Sequence, residues 1–193
     1  ALHYRARTGK GQHIDLSLLE STMSLLSNVS SNYLISGKEA VRYGNGHPNI
    51  VPYQTFPTSD GHVVVACAND RHYQGLCRLL EREDLATDPR FATNALRVSQ
   101  RAELVAELEK TFSRRTTTEW LSRLRAASIP SGPINSISQA FNAPQIQARG
   151  LVWECEHPTA GPIKLVGSPM HFSETPTRLY RVPPLLGEHD ELF

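Results

Sequence analysis

Chemistry in this chain has to come from a few short polar runs. Gly9-Lys10-Gly11 sets a lysine between two glycines, a turn in which backbone N–H groups beside a cation can hold an anion. Its spacing matches neither G-x-G-x-x-G nor the triphosphate-loop pattern G-x-x-x-x-G-K-[ST]. The glycines also lead into a strand-like pattern where a phosphate loop leads into a helix. A structural turn accounts for them. The eight histidines contain no H-E-x-x-H pair, and His62 and His72 straddle a hairpin and a helix start with no evident third ligand, so no metal is expected. Serine is plentiful, but without a Gly-x-Ser-x-Gly elbow it gives no support to a hydrolase triad.

Asn45-Gly46-His47-Pro48-Asn49 is the most suggestive run, because a polar, glycine-containing loop beside an aromatic, Tyr53, suits a mobile flap over a reacting carbonyl. The same residues also fit a plain linker. Asp60 and Asp70 read as turn and cap residues, roles that explain them without catalysis. Trp120 and Trp153 lie in periodic apolar segments and read as core. Glu188 and His189 are spaced like a helix-start cap.

Twenty basic and nineteen acidic side chains leave a formal net charge of +1 over 193 residues. No whole-molecule field therefore favours nucleic acid or an anionic membrane, and an anionic ligand must be held locally. Cys67, Cys77 and Cys155 are odd in number and lack CxxC spacing, which points to reduced, buried thiols in a cytosol-like compartment. No apolar run approaches the roughly 20 residues that cross a bilayer, and no leader pattern precedes the folded one. The first residues, Ala1 to Arg7, read as the last turns of a helix whose beginning lies upstream.

The elements that must position these groups follow from periodicity. Ile14, Leu16 and Leu18 alternate like a short strand, and from Leu18 the spacing turns helical until Gly37. Glycines and prolines from Ser36 to Pro57 mark a crossing linker. Tyr53–Phe56 pairs with Gly61–Ala66 across an Asp60-Gly61 turn. Asn69 or Asp70 caps a helix carrying Tyr73, Leu76, Cys77 and Leu80, and a second begins near Ser99 with Leu104, Val105, Leu108 and Phe112. Thr116 to Glu119 has capping-box spacing ahead of Trp120, Leu121 and Leu124. Ile129 to Ile134 is extended, short helices surround Ile137–Phe141 and Pro144, and Leu151–Glu156 pairs with Ile163–Val166. An extended tail reaches Leu185, where a last helical turn starts. This succession suits an α/β layer architecture.

Several segments together resemble the family III CoA-transferases, a group that includes formyl-CoA transferase, carnitine CoA-transferase and the related α-methylacyl-CoA racemases. They are Arg7-Thr8-Gly9-Lys10-Gly11-Gln12-His13-Ile14-Asp15-Leu16-Ser17-Leu18-Leu19-Glu20, then Pro52-Tyr53-Gln54-Thr55-Phe56 with Asp60-Gly61 and Asn69-Asp70, then Asp88-Pro89-Arg90-Phe91-Ala92-Thr93-Asn94 with Arg97. Pro130 to Asn135, Pro144 to Gly150, Gly167-Ser168-Pro169 and Pro183 to His189 continue the series in order.

The resemblance implies an α/β protein in which a Rossmann-like large domain, built from both chain ends, carries an inserted small α+β domain, two such subunits interlocking as a homodimer. On that view 1–36 and 150–193 belong to the large domain. Residues 37–52 are a crossing linker or flap, 53–127 the small domain, and 128–149 a return linker. It implies transfer of CoA from an acyl-CoA donor to a carboxylic acid through an aspartyl anhydride and thioester, with coenzyme A as substrate and no other cofactor. The nucleophilic aspartate is expected upstream of Ala1, leaving this chain inactive alone. Gly46, His47, Asn49 and Tyr53 are the substrate contacts it can supply, although the family's glycine run is replaced here by Asn45-Gly46-His47-Pro48-Asn49. A racemase on the same scaffold, or a non-catalytic chain that completes a dimer, remain the alternatives. The expected compartment is cytoplasmic.

Overall fold

The computed structural model describes residues 1–190 and is of mixed α/β content. It divides into two units, Ala1–Pro133 and Ile134–Phe193.

The first unit opens with α1 (Leu2–Thr8), closed by Gly9 at φ 70°, a left-handed geometry that costs glycine little. Ser17 starts α2 (Leu18–Leu25) by accepting the Glu20 amide N–H, and α3 (Asn28–Ser36) ends on Gly37. Two expectations are corrected here. Residues 14 to 18 form no strand. Alternation assigns side chains to faces, but a strand also needs a hydrogen-bonding neighbour, and among the described residues no strand pairs with this segment. The continuous helix expected up to Gly37 is broken at Ser27, where φ is 48°. Ser21, Thr22, Ser24 and Ser30 all turn their hydroxyls onto backbone carbonyls of the preceding turn, the competition that weakens helix interiors. Neither α2 nor α3 buries a side chain.

The core runs from Val51 to Ile129. Strands β1 (Tyr53–Pro57) and β2 (His62–Ala66) pair antiparallel with Thr55 opposite Val64, joined through the turn that Asp60-Gly61 signals. Asn69 accepts the His72 N–H and caps α4 (Asp70–Leu79), whose Tyr73, Leu76 and Cys77 face inward. Three short elements follow that periodicity did not reveal: α5 (Glu83–Thr87), a 3-10 turn at Pro89–Phe91, and α6 (Asn94–Ser99). Then come α7 (Arg101–Phe112) and α8 (Thr117–Ala126), the latter opened by the full Thr116/Glu119 capping box. Strand β3 (Ser131–Pro133) lies antiparallel on the other side of β2, with Gly132 opposite Val64. Phe56 stacks on Phe112 at 4.8 Å, Phe112 meets Trp120 edge-on at 5.1 Å, and the Trp120 indole N–H donates to the Phe112 carbonyl.

In the second unit α9 (Ile137–Phe141) and α10 (Pro144–Ala148) precede a hairpin of β4 (Val152–His157) and β5 (Gly161–Val166), with Glu154 opposite and ion-paired to Lys164. Trp153 is half-buried where a core position was expected. It lies against Gly167, where an added Cβ would stand 2.6 Å from the indole. Cys155 is likewise half-buried, while Cys67 and Cys77 are buried; all three are free thiols. Turns occupy 186–189, and Glu188 accepts the Leu185 N–H at 2.7 Å. The remainder of the helical turn expected from Leu185, residues 191–193, lies outside the described residues.

Candidate functional site

The loop from Gly44 to Tyr53 is held by three side chains spaced three and four residues apart on α6 and α7. Asn94 reads the backbone at two points: its Nδ2 donates to the Asn49 carbonyl at 2.8 Å and its Oδ1 accepts the Val51 N–H at 3.1 Å. Arg97 is fully buried and donates to the carbonyls of Val51 (2.8 Å) and Phe91 (2.9 Å) and to Asp70 Oδ1 (2.6 Å), with its guanidinium 4.4 Å from the centre of the Tyr73 ring. Asp70 therefore serves as counter-ion to Arg97, and the cap assigned to it from sequence belongs to Asn69. Arg101 Nη2 donates to the carbonyls of His47 and Pro48, each at 2.8 Å, beneath the Tyr43 ring.

Within this brace the four residues singled out from sequence come together. His47 stacks on Tyr53 with centroids 5.3 Å apart and an interplanar angle of 15°, and its backbone N–H reaches the Tyr53 carbonyl at 2.9 Å. His47 Nδ1 accepts the Asn49 backbone N–H at 3.1 Å. An N–H donor needs a lone pair opposite it, so the neutral ring carries its proton on Nε2. Asn49 exchanges two side-chain hydrogen bonds with Asn32 of α3, at 3.0 and 3.1 Å. Gly46 permits close approach: a Cβ there would meet the Tyr43 carbonyl at 3.1 Å and Arg101 Nη1 at 3.5 Å. Asn45 accepts the Thr55 N–H and ties the loop to β1.

The electrostatics single out Arg101. Arg82, Arg90, Arg97 and Arg123 each have a carboxylate partner, whereas Arg101, half-buried, has none among the described residues. Burial lowers its pKa from the usual arginine range. From sequence Asn94 entered only as part of the Asp88–Asn94 motif, without a contact, and Arg101 was not singled out. The available signal was Thr93, whose side chain caps α6 and so marks where that helix starts.

Elsewhere, a depression of about 940 Å³ between α4 and the end of α8 includes Asn69, Arg71, His72, Gly75, Arg78 and Arg123 and no residue of the loop. Among the described residues no cluster of His, Cys, Asp and Glu could hold a metal ion, and His62 and His72 join none. Among the same residues no helix is long and apolar enough to cross a membrane.

Residues 1–190 match the family model described as CoA-transferase family III, and the chain belongs to that family. It is 42% identical over 183 residues to the succinyl-CoA:glutarate CoA-transferase of Homo sapiens, covering 95% of this chain and 42% of that protein. It is 41% identical to the succinate–glutarate CoA-transferase of Agrobacterium fabrum, covering 98% and 47% respectively. Among solved structures, a CAIB/BAIF family protein from Brucella suis is 41% identical with a TM-score of 0.77, over 99% of this chain and 49% of that one. The chain thus spans less than half the length of these curated relatives.

Proposed function

We propose that the complete protein carrying this chain moves CoA from an acyl-CoA donor to a carboxylic-acid acceptor, with Gly46, His47, Asn49 and Tyr53 contacting the substrate. The family match across residues 1–190 carries this reading. The transferase names of the relatives, succinyl-CoA:glutarate and succinyl-CoA:mesaconate among them, favour transfer over racemisation.

In the chemistry this implies, an aspartate carboxylate attacks the donor thioester; a C–O bond forms as the C–S bond breaks, and CoA leaves as the thiolate. The thiolate attacks the aspartyl carbonyl of the anhydride and releases the donor acid. The acceptor carboxylate then attacks the enzyme thioester, expelling CoA thiolate and forming a second anhydride; the thiolate attacks the acceptor's acyl carbon, and the aspartate leaves as the free carboxylate. By the family resemblance the aspartate belongs to residues ahead of Ala1, and the large domain and an interlocked homodimer are completed by that segment. The exposed apolar side chains of 14–35 support a missing partner: Leu16, Leu18 and Ile35 are 80%, 88% and 87% exposed. Two separate globules with the lengths of the two units would expose roughly 11,000 Å² together. This chain exposes 14194 Å². A cytoplasmic location with reduced thiols belongs to the same reading.

The test is an assay of CoA exchange between succinyl-CoA and free carboxylic acids. The complete protein is expected to transfer CoA and the purified chain 1–193 to show none. Transfer by 1–193 alone would overturn the assignment of the nucleophile to a preceding segment.

A further inference from the structure

We propose that Arg101 and His47 together form the seat for the non-reacting carboxylate of a dicarboxylic acceptor. The inference rests on the CoA-transfer reading and adds the residues that would select a diacid of the kind the relatives' names give.

Three observations converge on this corner. First, Arg101 is a half-buried cation whose hydrogen-bond partners are neutral carbonyls, both served by Nη2. Its Nη1 and Nε make no hydrogen bond among the described residues. A charge withdrawn from water and left without a counter-ion is costly, and an arriving carboxylate supplies what is missing. Second, Gly46 keeps the edge of the guanidinium uncovered, since any side chain there would begin 3.5 Å from Nη1. Third, the ring of His47, whose own carbonyl is bound by Arg101, is fixed by Tyr53 and by the Asn49 N–H with Nε2 as its free donor. Among the described residues that Nε2–H also makes no hydrogen bond. The loop from Asn45 to Gln54 contains no acidic side chain to compete for these donors.

The chemistry of transfer decides which carboxylate binds here. The reacting carboxylate must be a nucleophile, and an ion pair with a guanidinium would withdraw the electron density it needs. A carboxylate that takes no part can be held tightly without that penalty, and holding it orients the other end of the acid. Arg101 acts through both its charge and its grip on the His47 carbonyl, and His47 touches the acid directly.

The experiment compares glutarate with valerate, acids of equal carbon number, as acceptors for the complete protein. The wild type is expected to prefer the diacid. Arg101→Met and His47→Phe should each reduce the glutarate-to-valerate ratio of kcat/KM by at least about tenfold. The loss should appear in the acceptor KM. Arg101→Lys, which restores the charge, should recover part of the preference. His47→Phe keeps an aromatic ring against Tyr53 and serves as the readout if Arg101→Met does not fold. An unchanged ratio in a folded variant overturns the seat alone. Absence of transfer to either acid by the wild type overturns the CoA-transfer reading and the seat with it.

Discussion

Arg97 has no contact with water, and its guanidinium is shared between two carbonyls and Asp70. Removing it strands the Val51 and Phe91 carbonyls in the interior. Arg97→Met should therefore lose about 3 kcal/mol or more of stability in urea unfolding. Asp70, 55% exposed, can then turn to solvent, whereas Asp70→Asn leaves the buried guanidinium without its counter-ion and should also destabilise. Asp60 gives a pH-dependent case. The Thr117 N–H and hydroxyl hold its carboxyl below the ordinary value of 3.8. A depressed folded pKa contributes stability above the unfolded value that is lost as pH falls through the folded one. The Tm difference between wild type and Asp60→Asn is expected to narrow below pH 3.8, and a difference that stays constant into acid would rule out this cause. At this scale Gly46, His47, Asn49 and Tyr53, expected from sequence as substrate contacts, lie close together in the structure. Arg97 entered as part of a motif without a contact, and Arg101 was missed, because a long side chain's partner 54 residues away leaves no local pattern.

Local signals translated into elements wherever both partners of an interaction lie close in the chain. The Thr116 capping box is such a case, with Glu119 accepting the Thr116 N–H at 2.9 Å. Thr116→Ala should cost about 1 kcal/mol at unchanged m-value, with Thr116→Ser close to wild type. The Asp60-Gly61 hairpin and the Pro144 helix start were legible for the same reason. The failures had a different origin. The alternation at 14–18 met no neighbouring strand, and α5 and α6 are too short, five and six residues, to show a period.

For the whole molecule, buried apolar side chains mark 51–129 as the part that stabilises itself, while α1, α2 and α3 bury nothing. Limited proteolysis of the chain 1–193 should cut within 1–50 before it cuts within 53–129, as read by mass spectrometry of early products. Early cleavage inside β1, β2 or α7 would contradict this division. The family, most of the caps, the hairpins and the position of the polar loop were legible in the residues alone, because each depends on residue types at short separations. Packing between distant segments brings α6 and α7 onto that loop, sets Asp70 against Arg97, and leaves Arg101 without a counter-ion among the described residues. Those outcomes depend on which distant groups share a small, partly desolvated space, where one absent carboxylate changes the electrostatics of the whole corner.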